Sequence, residues 1–416
     1  MTYQLKQKGR WVYIRPFPEP KLLYLLEKEF SYIKKGSEFM PNPAWAQVKL
    51  YQKGRGRLPI GLLHKLCLLL VSNDIPYQNL ITGSFLVNNF TDSDGLYGFQ
   101  KSALRMVLMR RGGILQIPTG GGKTKTAIAV IKAIKVPTLV IVPTLDLVAQ
   151  WKRQVSEDIH VRTYQGIKSK KYIQQFGLVI FDECHRVAAK TLQLIGLNLS
   201  EEAITLGLSA TPMMRDDDNL KVEGVIGPII YKISLRELIN EGYLVDALVH
   251  FHYLNFMYSD FMDYPTTYNN YILSNWNRNL KIIQLASQSK GPVLILVKLI
   301  EHGDNLYKIL KNGGEDVIFL NGSSKDRETK MDHKIIIATS IFDEGIDIPH
   351  LETLIIAGGG KSAIKTTQRI GRVLRNSPGK KIAMVHDFAD NCRWLCDHYE
   401  ERRAIYADDF EIVLVE

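Results

Sequence analysis

The sequence predicts an α/β protein of two parallel-sheet lobes in tandem, preceded by a small α+β domain. Three observations carry this. Apolar runs such as Leu139-Val140-Ile141-Val142 and Leu178-Val179-Ile180-Phe181 have the near-continuous hydrophobicity of strands covered on both faces. Such runs alternate with helical stretches through two successive parts of the chain, as a parallel sheet with crossover helices requires. Finally, Ile114-Leu115-Gln116-Ile117-Pro118 leads into Thr119-Gly120-Gly121-Gly122-Lys123-Thr124 and then into the helical pattern Lys125–Ile131, a strand, Gly-rich loop and helix in the order of a phosphate cradle.

The first 93 residues hold thirteen Lys or Arg against six Asp or Glu, in a chain of 416 residues with a formal net charge of +10. This excess points to an anionic partner. Leu22–Phe30 reads as an amphipathic helix, Val48-Lys49-Leu50-Tyr51 as a short strand and Leu62–Val71 as a buried helix. Between the last two, Lys53-Gly54-Arg55-Gly56-Arg57 forms a basic loop. Gly54 and Gly56 let its backbone approach a phosphate, and Lys53, Arg55 and Arg57 supply charge.

Thr91-Asp92-Ser93-Asp94-Gly95 is a polar break, giving expected domains of 1–93, 94–242 and 243–416. The first lobe should place strands near 114–117, 139–142, 178–181 and 204–208. The second should place them at 293–297, 317–320, 334–339, 354–357 and 382–385. A nucleotide is expected between the lobes, at the carboxyl ends of strands, where open α/β sheets bind ligands.

Three motifs carry the chemistry of an NTP-driven motor. In the first, backbone N–H groups close on phosphate oxygens, Lys123 adds a point charge and Thr124 holds Mg²⁺. Ile117 stands where the strict phosphate-loop pattern has its first Gly. In the second, Asp182-Glu183-Cys184-His185, Asp182 binds Mg²⁺ through water and Glu183 orients and deprotonates the attacking water. The third, Gln368-Arg369-Ile370-Gly371-Arg372-Val373-Leu374-Arg375, adds positive charge to the transition state.

Over roughly residues 95 to 390 these motifs, with others in the same order, resemble a superfamily 2 helicase of the DExH type, whose lobes are RecA-like. Tyr97-Gly98-Phe99-Gln100 resembles the adenine motif. Pro143-Thr144 and Thr163-Tyr164-Gln165 resemble two strand-contacting motifs, and Ser209-Ala210-Thr211-Pro212 the coupling motif. Leu320-Asn321-Gly322, Ala338-Thr339 and Glu344–Pro349 resemble motifs of the second lobe. The resemblance implies that Gln100 reads adenine, with Tyr97 or Phe99 stacking nearby. It implies that His185, Ser209 and Thr211 couple nucleotide state to lobe movement, and that Gly345 and Asp347 lie against the ribose. Arg369 and Arg372 act as arginine fingers oriented by Gln368. Pro143, Thr144, Thr163, Gln165, Gly322 and Thr339 touch nucleic acid. The order of segments ahead of the motor is similar to the phage UvsW-type branch-migration helicases.

The resulting expectation is an ATP- and Mg²⁺-dependent DNA helicase or translocase that remodels forks and four-way junctions in recombination and repair. An RNA helicase is the first alternative, because motor motifs grip phosphate and sugar and do not decide between DNA and RNA. A clamp that binds ATP without turnover is the second. The aromatic stretch from Phe251 to Trp276 is open to two readings, base stacking or core packing. Asp216-Asp217-Asp218 reads as an acidic surface loop. Cys67, Cys184, Cys392 and Cys396 suit a reducing compartment rather than a zinc site. No apolar signal region and no run of eighteen apolar residues occurs, so a protein of the bacterial or phage-infected cytoplasm, without membrane contact, is expected; a monomer is expected as well.

Overall fold

Apolar runs bounded by Gly, Pro, Asp or Asn become short strands, and the polar-faced stretches between them become the helices that cover those strands. The computed structural model describes all residues except 35–36, 38–39, 82–94, 213–217, 255–261, 323, 325–331, 340–349, 361–368, 393 and 416. The chain divides into two compact units. One comprises Met1–Ile117 with Gly122–Ile233, and the other Pro118–Gly121 with Ser234–Glu416.

The first unit opens with β1 (Tyr3–Lys8), β2 (Trp11–Arg15), β3 (Ser31–Ile33), β4 (Gln47–Lys49), β5 (Arg57–Pro59) and β6 (Tyr77–Asn79). β3 pairs with β4, and the other four form a sheet in the order β5-β2-β1-β6. Period-two alternation buries Tyr3, Leu5, Val12, Ile14 and Leu58 on one face, against Leu22, Leu26, Leu66 and Leu70 of helices Pro20–Glu29 and Leu63–Ser72. The expected helices and the strand near 48 are present. The segment read as a basic loop contains a 3₁₀ turn, Lys53–Arg55, and then β5. β1 escaped the sequence reading because alternation with Gln4, Lys6 and Lys8 gives it no apolar run, whereas β2 does hold one, Trp11-Val12-Tyr13-Ile14, too short by itself to mark a strand.

The same unit continues with β7 (Gly113–Gln116), β8 (Thr138–Val142), β9 (His160–Thr163), β10 (Leu178–Asp182), β11 (Ile204–Ser209) and β12 (Ile229–Lys232). These pair in the order β12-β7-β11-β10-β8-β9, all parallel. One hydrophobic core includes Leu139, Ile141, Val179, Phe181 and Val225. The amino-terminal sheet is seated on this lobe. Leu220 packs against its core, and a Cβ at Gly61 would stand 1.9 Å from Glu223 O, so only glycine permits that approach.

The second unit has β13 (Asp246–Leu254), β14 (Val293–Leu296), β15 (Val317–Leu320), β16 (Ile335–Ala338), β17 (Thr353–Ile356), β18 (Ile382–Asp390) and β19 (Glu411–Val415). They form a parallel sheet in the order β15-β16-β14-β17-β18-β13-β19. β9, β12, β13 and β19 were not anticipated from the sequence. Two buried ion pairs brace this sheet. Arg278 donates to Asp390 (2.9 and 3.3 Å) and to Ala357 O (2.7 Å), and Arg402 donates to Asp387 (2.8 and 2.9 Å). In the aromatic stretch, Phe251, Tyr268 and Ile272 are buried core, Tyr253 and Trp276 are exposed, and residues 255–261 lie outside the described residues. Among the described residues no helix is long and apolar enough to cross a membrane.

Candidate functional site

The loop after β7 is shaped by its neighbours. Ile117 N donates to Ser209 O (3.1 Å), pinning the strand end to β11, and Gly121 N donates to Pro118 O (3.1 Å) to close a turn. Ile117 is wholly buried, which accounts for an apolar residue where the strict pattern has Gly. Gly120 and Gly122 take φ of +87° and +78°, which favour glycine. A Cβ on Gly122 would also stand 2.4 Å from Gln100 Nε2. Lys123 begins helix Lys123–Ile134, whose first N–H groups make an anion-binding end, and its Nζ donates to Ile117 O (3.4 Å). Thr119 and Thr124 are half-buried. Gln100 is buried and accepts from Tyr97 N through Oε1 (3.1 Å), so its amide sits between the start of helix Gly98–Arg110 and the phosphate loop. Tyr97 stacks with Phe99 at 6.0 Å.

The acidic motif stands at the end of β10. Both Asp182 oxygens receive donors: Trp151 Nε1 to Oδ2 (2.9 Å) and Glu183 N to Oδ1 (3.0 Å). Burial, then the neighbouring Glu183, pushes the Asp182 carboxyl up to about 6, against the Trp151 bond. Glu183 adopts φ +49° at the strand-to-turn junction. His185 Nδ1 lies 3.2 Å from Ser209 Oγ and 3.4 Å from Glu183 Oε2. Burial, then Arg186 and Lys123, lowers the His185 pKa to about 4, so the ring is neutral at physiological pH. Ser209 Oγ in turn accepts from Thr211 N (3.2 Å). The three residues expected to couple thus form one chain of contacts. Cys184 fits beneath β11 because position 207 is Gly, where a Cβ would be 3.0 Å from the sulfur.

Oxygen donors suit Mg²⁺, and Thr124 and Asp182 supply a hydroxyl and a carboxylate. The two N–H donors fix the Asp182 carboxylate in orientation while leaving oxygen lone pairs for metal-bound water.

Pro143 and Thr144 follow β8, and Thr144 Oγ1 caps helix Leu145–Lys152 by accepting from Leu147 N (3.3 Å). Thr163 ends β9 in register with Val142, and Gln165 is exposed in the next turn. All four residues therefore gather at the carboxyl ends of two adjacent strands. In the second unit, Gly322 and Thr339 likewise follow the paired strands β15 and β16, and Thr339 N donates to Leu320 O (3.3 Å). Arg369 and Arg372 occupy one side of the helical segment 369–373, anchored by buried Ile370, Val373 and Leu374. Lys380 secures that segment by donating to Leu351 O (2.6 Å), Arg375 O (3.2 Å) and Val373 O. A lone Lys in a turn offers no sequence signal for this. Gly345, Asp347 and Gln368 lie outside the described residues.

The amino-terminal sheet presents a face that sequence reading reached only in part. Register aligns Gln4 with Arg15, Lys6 with Tyr13 and Arg57, and Lys8 with Trp11. The Arg57 guanidinium lies 3.9 Å from the Trp11 ring centroid and donates to Tyr13 OH (3.0 Å) and Gln52 Oε1 (2.9 Å). Arg55 belongs to the neighbouring turn, and Lys53 lies 3.6 Å from Glu27.

A Gly-rich phosphate loop, an acidic strand end and an arginine pair on parallel α/β lobes define an ATP-hydrolysing motor. Residues 95–159 and 153–214 match the family described as type III restriction enzyme, res subunit, and residues 276–377 match the helicase conserved C-terminal domain. The chain carries superfamily 2 helicase domains, resembles the phage UvsW-type helicases, and is an ATP-hydrolysing enzyme with nucleic-acid partners. It is 25% identical to the DNA 3'-5' translocase XPB2 of Sulfurisphaera tokodaii over 68% of this chain and 79% of that protein. It is also 25% identical to the ATP-dependent DNA helicase uvsW of Enterobacteria phage T4 over 70% of this chain and 68% of that protein. Saccharomyces cerevisiae Dbp5, solved with RNA and ADP BeF3, shares the motor fold with a TM-score of 0.54 at 16% identity, covering 76% of this chain and 89% of that one.

Proposed function

We propose that the protein is an ATP-dependent DNA helicase or translocase that remodels branched DNA, forks and four-way junctions in particular. The observation that carries this reading is the exposed side of the β5-β2-β1-β6 sheet. Lys6, Lys8, Trp11, Tyr13, Arg15 and Arg57 present cations and aromatic rings there, with no acidic residue among these positions. Such a face grips phosphate by charge and unpaired bases by stacking, the combination that a branch point displays. The names of the S. tokodaii and T4 relatives, both DNA motors, support the same choice.

In the motor, Lys123 and the Gly120–Gly122 backbone bind the phosphates, Gln100 and Tyr97 flank the base, and Thr124 and Asp182 would hold Mg²⁺. When bound, the ion neutralises phosphate charge. Glu183 positions and deprotonates water, and Arg369 and Arg372 stabilise the charge that develops on the transferred phosphoryl group. His185, Ser209 and Thr211 relay the nucleotide state. Pro143, Thr144, Thr163, Gln165, Gly322 and Thr339 hold the strand by its backbone, while Lys53, Arg55 and Arg57 add charge.

ATP turnover against single-stranded DNA, duplex, fork, four-way junction and structured RNA at one salt concentration tests the reading. Strongest stimulation by fork or junction is expected, reduced by Trp11→Ala with Tyr13→Ala. Stimulation by RNA alone would overturn it. Point substitutions are needed because removing residues 1 to 93 would strip Arg10 and Gly61 from their contacts on the first lobe.

A further inference from the structure

Where the amino-terminal sheet meets the first lobe, two adjoining cavities of about 290 and 600 Å³ open, both lined by Arg10, Arg110 and Arg111, and the larger also by Lys6. Arg10 is 6% exposed, and its guanidinium donates to Ala203 O (2.8 Å), Thr205 Oγ1 (3.0 Å) and Val225 O (3.1 Å). All three acceptors are uncharged, and Nε, which is buried, has no partner among the described residues. Burial lowers its pKa to about 10. A guanidinium withdrawn from water without a counter-charge is costly, and an anion in the cleft it lines would relieve that cost. Of the two carboxylates bordering the larger cavity, Glu201 already accepts from Gly9 N (2.8 Å) and Glu202 is exposed.

The place of the cleft identifies which anion it can take. Its lining includes Gly112, immediately before β7, and Thr205, near the start of β11, so it lies at the amino ends of two strands, and it is the carboxyl end of β7 that leads into the phosphate loop. Helix Gly98–Arg110 separates Gln100 from Arg110 by about 15 Å at ~1.5 Å per residue. Phosphate bound here is therefore not that of the ATP being hydrolysed. Lys6 also belongs to the exposed basic sheet face, which makes the cleft continuous with the surface proposed to grip DNA.

We propose that Arg10, Arg110 and Arg111 form a second phosphate site that takes a backbone phosphate of the nucleic acid; the choice of nucleic acid as source rests on the proposed function. Guanidinium forks match phosphate oxygens in geometry and charge.

The test uses the full chain carrying Arg110→Glu, an exposed position, or Arg111→Gly, which suits the φ of +59° found there. Circular dichroism and melting verify the fold, and anisotropy of a fluorescein-labelled four-way junction is followed across salt concentrations. Each variant should bind about tenfold more weakly at ~0.1 M salt, with a log–log salt slope shallower by about 0.9 for each phosphate that the variant leaves unneutralised. In parallel, tripolyphosphate is added to Lys123→Ala protein, so that the phosphate loop does not report. If it raises the melting temperature of Lys123→Ala but not of Lys123→Ala with Arg110→Glu, and junction binding is unchanged, the phosphate site stands and its source is a free polyphosphate rather than nucleic acid. Unchanged junction binding with no tripolyphosphate response overturns the site. Because these readouts need no turnover, failure of the motor reading would appear separately, as ATP hydrolysis unresponsive to any nucleic acid.

Discussion

Trp151 donates its indole N–H to Asp182 Oδ2 across 2.9 Å, tying helix Leu145–Lys152, which begins beside Pro143-Thr144, to the acidic motif. The helix that follows the residues expected to feel the strand is thus bonded to the carboxylate expected at the metal. This bond lowers the Asp182 pKa against burial. Trp151→Phe should therefore raise that pKa and shift the acid limb of ATP turnover to higher pH. A pH–rate profile at saturating Mg²⁺ and ATP checks this, and an unmoved limb would remove Trp151 from the mechanism.

Asp182 also links stability to pH. Its folded-state pKa is raised from 3.8 to about 6, so its contribution is fully present below 3.8 and is lost as pH rises through about 6. Without Mg²⁺, Asp182→Asn should be the more stable protein above pH 6, by something on the order of 2–3 kcal/mol, and the gap should close on acidification. Melting curves in a chelator at several pH values measure it.

Glu183→Gln should lower phosphate release by about 10²–10⁴-fold while ATP binding persists. Equal and negligible release by wild type and variant would indicate that Glu183 has no part in turnover.

At Gly122, both the φ of +78° and the 2.4 Å approach of a Cβ to Gln100 Nε2 disfavour a side chain. Gly122→Ala should weaken ATP binding by roughly tenfold, since a non-glycine left-handed residue costs ~1–2 kcal/mol before any clash. Titration with a fluorescent ATP analogue reads this directly.

In the second unit, Arg278→Leu would leave Asp390 buried and unpaired. Stability should fall by about 3–5 kcal/mol, and pairing the change with Asp390→Leu should restore most of it. Denaturant unfolding of the full chain gives the comparison.

The parallel architecture was legible because a strand covered on both faces must be apolar throughout, as Leu178–Phe181 and Ile335–Ala338 are. β1 was hidden because its outward residues, Gln4, Lys6 and Lys8, are polar and break any apolar run, and β2 because its run of four, Trp11–Ile14, is short. β19 is only partly buried, and β13 mixes His, Asp and Tyr with its apolar residues.

The sequence by itself determined the local motifs: the Gly-rich loop, the Asp-Glu pair, the arginine pair and the basic amino terminus, each readable because its residues are neighbours in the chain. Only the tertiary structure decided which distant side chains meet. Trp151 reaches Asp182, Lys380 holds the arginine-bearing helix, Arg57 lies over Trp11, and Arg10 enters the first lobe nearly two hundred residues away. Such pairs depend on strand order and register, which arise from packing the whole chain and leave no periodic trace in it.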